Sequence, residues 1–168
     1  MTQFLRRHAV RIVIGVVLVA AAYFAISVYG TYQREQRIAA KCNSLNGFGY
    51  QLGYRGPAWI PQSLQSHVRL FDRITFIGAY QECVVPGGPA EPELIDHAVL
   101  EELLLDCRTL HSLEDLGLSR TQVNDADLEH LKGLFSLRTL DVDYTRTTAA
   151  GRAMLRKALP NCKIHPDP

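Results

Sequence analysis

A stretch of this chain repeats itself at an interval of 24 residues. Leu113-Glu114-Asp115-Leu116-Gly117-Leu118-Ser119-Arg120-Thr121 returns as Leu137-Arg138-Thr139-Leu140-Asp141-Val142-Asp143-Tyr144-Thr145. Further on, Val123 stands over Thr147, Ala126 over Ala150 and Leu131 over Leu155. Run backwards, the same frame sets Val99 over Val123, Leu104 over Leu128, Cys107 over Leu131, Leu110 over Leu134 and Leu113 over Leu137. A period this short holds one strand and one helix. Such a unit cannot bury its leucine face alone, and a stacked copy can. The repeat therefore predicts an α/β fold of short parallel strands backed by helices, with alternate strand residues facing outward.

The second constraint lies at the other end. Ile12 to Tyr29 is 18 consecutive uncharged residues, 16 of them apolar, interrupted only by Gly15 and Ser27. As a helix this run is roughly 27 Å long, close to the ~30 Å hydrocarbon layer of a bilayer. Residues 12–30 read as a transmembrane helix contacting lipid, behind a basic tail, 1–11, that carries Arg6, Arg7 and Arg11. The rival is a cleaved signal peptide, for which Ala20-Ala21-Ala22 supplies small residues. The apolar run continues past them to Tyr29, which favours an uncleaved anchor. Arg34, Arg37 and Lys41 follow the span, so its basic flanks nearly balance; the short N-terminal tail favours a C-terminal domain outside the cytoplasm. Gly15 alone makes no G-x-x-x-G pairing face, and oligomeric state stays open.

Residues 31–46, without proline, read as a helical stalk. Residues 47–92 form an N-terminal cap. In it Phe48 to Tyr54 alternates glycine with aromatics, as an extended strand or hairpin, and a proline-initiated helical turn follows. Arg73 to Ala79 reads as a strand with Ile74 and Phe76 on one face and Thr75 on the other. Pro86-Gly87-Gly88-Pro89-Ala90-Glu91-Pro92 is a loop. Leu100, Leu103, Leu104 and Cys107 fit a helix, and the repeats with a C-terminal cap occupy 93–164.

The run Thr121-Gln122-Val123-Asn124-Asp125-Ala126-Asp127-Leu128-Glu129-His130-Leu131-Lys132-Gly133-Leu134 resembles the T-x-V-T-D-A-G-L-x-x-L-x-x-L turn of bacterial leucine-rich-repeat proteins of the ribonuclease-inhibitor-like or cysteine-containing class. Leu159-Pro160-Asn161-Cys162-Lys163-Ile164 resembles their terminal cap, and Gly56-Pro57-Ala58-Trp59 a segment before their first repeat. The resemblance is strongest over 113–164. It implies a helix-backed parallel-sheet solenoid with a binding role and no known catalysis. Asp127 departs from the pattern by replacing glycine, and Ala149 by standing where the second turn aspartate belongs.

Strand alternation puts Asp115, Gly117 and Ser119 outward, beside Thr139, Asp141 and Asp143. Asp115, Ser119, Thr139, Asp141 and Asp143 are the candidate partner-binding residues. Their carboxylates complement a basic protein, a metal ion is a lesser alternative, and a merely solvated face is the simplest account. Exposed Tyr54, Trp59 and Tyr144 offer a different reading, a cell-wall or glycan-binding surface. His97, His111 and His130 lack metal-ligand spacing, and no G-x-S-x-G, H-E-x-x-H or P-loop motif occurs. No catalytic residue, metal or cofactor is expected. Cys42, Cys83, Cys107 and Cys162 allow two disulfides in three connectivities, or free thiols with Cys107 and Cys162 in the core; a Cys42–Cys83 bridge would staple the cap.

Net charge refines this. The chain totals +1, with three arginines and no acid up to Gly30, leaving 17 acids against 15 bases beyond it. That domain of net −2 excludes bulk electrostatic binding of nucleic acid. The expectation is a single-pass, non-catalytic protein-interaction module at a membrane surface.

Overall fold

The computed structural model describes residues 2–45, 48–65, 67–79 and 97–166. The fold is mixed α/β. Strands β1 Phe48–Tyr54, β2 Asp72–Ala79, β3 Asp115–Gly117, β4 Thr139–Asp141 and β5 Lys163–His165 lie in that order in one sheet. β1 runs antiparallel to β2, and all later neighbours are parallel. The helices are α1 Thr2–Ser44, α2 Gln62–Gln65, α3 His97–Cys107, α4 Asp125–Leu131 and α5 Ala149–Ala158. The proline-rich loop and Cys83 lie outside the described residues.

The 24-residue interval becomes strand register. Leu116 pairs with Leu140 and Leu140 with Ile164, and all three are buried. The corners after β3 and β4 repeat as well. Arg120 and Tyr144 both adopt left-handed backbone, with φ of 58° and 56°. The hydroxyls of Thr121 and Thr145 donate to the carbonyls of Leu118 and Val142, at 2.6 and 2.7 Å. Asn124 and Thr148 then cap the following helices through their side chains. Thus the chain turns from strand to helix twice by the same hydrogen-bonding device.

Consecutive units are also joined through their caps. The Asp125 carboxylate accepts from the backbone N–H of Thr148 at 2.7 Å and from its hydroxyl at 2.6 Å. Those bonds hold the Asp125 carboxyl below its ordinary range, at the positive end of α5. A Cβ on Gly151 would collide with the same carboxylate. Replacing a helical glycine by alanine ordinarily stabilises by up to ~1 kcal/mol. Gly151→Ala is instead expected to destabilise by about 1–2 kcal/mol, as overpacking does. In an Asp125→Ala background the same change should become neutral or stabilising. Denaturant melts of the four proteins read the sign reversal directly, and a stabilising Gly151→Ala in the parent would exclude this docking.

Two expectations need correction. In β2, Ile74 and Ile77 are buried, whereas Phe76 is only half-buried. The reason is a bulge: Gln51 pairs with Phe76 but Leu52 pairs with Ile74, so Thr75 is an extra residue. One inserted residue reverses every later side chain, which sends Phe76 out and brings Ile77 in.

The second correction concerns the continuation of the apolar helix. The 18-residue apolar window of α1 is 0% buried within the fold, and the helix is long and apolar enough to cross a membrane. Past it, α1 is more than a stalk. Glu35, Ile38, Ala39 and Cys42 are buried at helical spacing, and the last three join the same core as Ile74, Leu103 and Cys107. Lys41 adds ion pairs to Glu102 and Asp106 of α3, at 2.7 and 2.8 Å. The membrane-type helix is therefore also a structural element of the domain.

Candidate functional site

The register fixes what the outward sheet face presents. One row runs Gln51, Phe76, Asp115, Thr139 and Lys163, and the next runs Gly49, Gly78, Gly117, Asp141 and His165. In β3 and β4 the burial alternates: Leu116 and Leu140 are buried, while Asp115, Gly117, Thr139 and Asp141 are half-exposed. Alternation continues past each strand, where Leu118 and Val142 are buried. Asp115 and Thr139 are hence direct neighbours across the ladder, and Asp141 follows two residues later on the same face.

The five candidate residues differ in what is left for a partner. Asp141 Oδ1 accepts from the backbone N–H of Asp143 at 3.0 Å, which holds the corner after β4. The Asp143 carbonyl accepts from the N–H of Arg120 at 2.8 Å, so the backbone there is fixed by the neighbouring corner. Ser119 departs from expectation. Its Oγ is buried and has no hydrogen-bond partner among the described residues. Its hydroxyl is therefore withdrawn from the surface that strand alternation assigned to it, because the chain is already turning into the Arg120 corner.

Two features of this face go beyond the sequence candidates: a cationic partner for Tyr144 and a depression at the strand edge. The Arg120 guanidinium carbon lies 5.2 Å from the centre of the Tyr144 ring, a cation–π arrangement beside Asp143. The left-handed backbone shared by these two residues sets both side chains at equivalent corners of adjacent units. The signal in the sequence was their 24-residue spacing, but stacking depends on direction, which spacing does not report. At the opposite, N-terminal edge of the strands lies an open depression of ≈ 700 Å³ lined by Glu114, Phe135, Arg138, Thr139 and Lys163. Glu114 pairs with Arg55 there and lies 3.9 Å from Arg138 Nε. One end of the face is thus basic and the other acidic.

No family model, curated protein or solved structure matches this chain.

The remaining candidates separate in space. Tyr54 packs edge-on against Phe71, at 6.2 Å between ring centres, and its hydroxyl donates to the Pro57 carbonyl. Trp59 and Tyr144 are 80% and 82% exposed, but Trp59 precedes β2 whereas Tyr144 follows β4. His97 has a structural partner: its Nε2 lies 3.1 Å from Oδ2 of the buried Asp127. That carboxylate also accepts from the N–H of Asn124, closing a capping box at the start of α4. This is what aspartate does in place of the glycine of the resembling pattern.

Among the described residues no three His, Cys, Asp or Glu side chains are grouped to hold a metal ion. Cys42, Cys107 and Cys162 are free and buried. Burial pushes the thiols of Cys42 and Cys162 up to about 11 and that of Cys107 higher still. All three are thiols rather than thiolates at neutral pH, the unreactive form.

Proposed function

We propose that the chain is a membrane-anchored, non-catalytic protein-interaction module: a short leucine-rich-repeat solenoid presented at a membrane surface by α1. The observation that carries the reading is the outward sheet face, where Asp115, Thr139 and Asp141 share one side of β3 and β4 and the chain after Asp141 turns through Asp143 to the Arg120–Tyr144 pair. Clustered carboxylates with one exposed aromatic favour a basic protein partner, by steering as much as by contact. The equal 24-residue register of β3, β4 and β5 supports the repeat reading, and the exposed apolar window of α1 supports the anchor.

Asp143→Lys tests the partner face, since the Asp143 side chain makes no hydrogen bond or ion pair among the described residues. Photocrosslinking from position 144 of the full chain in its native membranes should give one stoichiometric protein adduct. Asp143→Lys should abolish it while leaving the melting temperature unchanged; an adduct that survives the charge reversal overturns the acidic-face reading. A cell-wall or glycan-binding protein is the second reading, favoured by the exposure of Tyr144. Retention on insoluble wall material that is lost in Tyr144→Ala would establish it instead.

A further inference from the structure

The direction of α1 relative to β2 locates the membrane with respect to the domain. The Glu35 carboxylate accepts from the N–H of Ile74 at 2.9 Å, which fixes one level. At the other end the N–H of Phe48 donates to Leu45, and Phe48 pairs with Ala79. From Glu35 to Leu45 and from Ile74 to Ala79 the helix and the strand therefore run the same way. Stepping back from Glu35 to Tyr29, the end of the apolar run, is roughly 9 Å of helix. Stepping back from Ile74 to Phe71 is roughly 10 Å of strand. The 3-10 turn Arg69–Phe71 contacts α1, and α1 is half-buried from Gly30 to Gln33. The 3-10 turn, and Arg55, whose N–H donates to the Phe71 carbonyl at 3.0 Å, are thus level with the point where α1 leaves the apolar run.

The chain between β1 and β2 carries side chains unsuited to water. Beyond α1, the large apolar side chains exposed among the described residues are Leu52, Trp59, Leu64, Leu70, Leu105, Phe135 and Tyr144. Three of these seven, Trp59, Leu64 and Leu70, lie between β1 and β2, and Trp59, at 80% exposure, leads them. The charge is equally one-sided. No acid occurs between Glu35 and Asp72, whereas Arg69 and His67 are exposed there. Tryptophan, leucines and arginine in one acid-free segment are the composition of a membrane–water interface, where the ring sits at headgroup depth and the cation meets phosphate.

We infer that the segment containing Trp59, Leu64, Arg69 and Leu70 is a second membrane contact, seated in the interfacial layer of the same bilayer that α1 enters. It rests on reading α1 as a membrane span. Two contacts on one rigid body fix the tilt of the domain, so the sheet face is held at a set orientation to the membrane instead of swinging on a single helix.

Trp59 is the only tryptophan of the chain, and so reports on itself. The full protein is reconstituted in vesicles of phosphatidylcholine and phosphatidylglycerol, with lipids brominated either near the glycerol or near the chain ends. The expected result is blue-shifted Trp59 emission, quenched strongly by the shallow bromines and weakly by the deep ones. A Trp59→Phe/Phe24→Trp variant moves the reporter into the apolar run and should be quenched by the deep bromines. Deep quenching of that variant with Trp59 unquenched and red-emitting overturns the second contact and leaves the span standing. Blue-shifted but unquenched Trp59 means that protein covers the patch, which also overturns it. An unquenched variant removes the span, and the inference with it.

Discussion

Leu140→Ala is expected to destabilise the domain by about 2–5 kcal/mol, the range for a fully buried leucine whose cavity cannot collapse. Leu140 is 0% exposed and sits between Leu116 and Ile164 in adjacent strands, so its side chain is held from both sides by the repeat itself. Collapse of the cavity would require one strand to shift against two partners at once. Thr139→Ala, one residue away on the outward face, is expected to change stability by no more than ~0.5 kcal/mol. Chemical denaturation in detergent micelles measures both. Equal effects at the two positions would mean that the strand does not alternate between core and surface.

Glu35→Ala is expected to cost about 1–3 kcal/mol, because the buried N–H of Ile74 loses its acceptor. Glu35→Gln keeps an amide oxygen in that place and should be tolerated far better. The pair also carries a pH signature. Burial raises the Glu35 carboxyl above its ordinary value despite the Ile74 N–H and the guanidinium of Arg73, whose Nε lies 3.6 Å away. The folded protein then holds the proton more tightly than the unfolded chain. Stability contributed by this group is fully present below the ordinary glutamate range and is lost as pH rises through the raised value. That is the opposite of a hydrogen-bonded surface carboxylate such as Asp125, whose stabilisation is lost on acidification. Stability measured against pH should lose the Glu35 decline in Glu35→Gln and keep the Asp125 limb. A Glu35→Gln profile superimposable on the parent would show that Glu35 does not titrate differently on folding.

The function of Glu35 in the fold gives this prediction a wider meaning. The residue belongs to the helix that carries the apolar run, yet its carboxylate satisfies a strand. It therefore joins the membrane-type segment to the sheet, and losing it should loosen the orientation of the domain as well as its stability. The Trp59 measurement reads that orientation independently.

Much of the fold was legible in one dimension. The recurrence of Leu116 as Leu140, and of Leu118 as Val142, anticipated parallel strands in register, because identical units stack by identical contacts. Helix α3 followed from the spacing of Leu100, Leu103, Leu104 and Cys107, all buried. The candidate face was legible only in outline. Alternation placed Asp115, Thr139 and Asp141 together, but it ran one step too far at Ser119, where the backbone had begun to turn. It failed in β2 for the reason that any period-two argument fails at a bulge: the inserted Thr75 leaves no mark in the hydrophobic pattern.

By itself, then, the sequence determined the interval between strands, the apolar length of α1 and the division of charge at Gly30, all of them properties of residues close in the chain. The tertiary structure alone decided that α1 continues into the core through Ile38, Ala39 and Cys42, that Arg120 lies over Tyr144, and that the 3-10 turn before β2 packs against α1. Those are contacts between residues far apart in sequence, chosen by shape and direction. Periodicity records which faces are apolar, and only packing determines which faces meet.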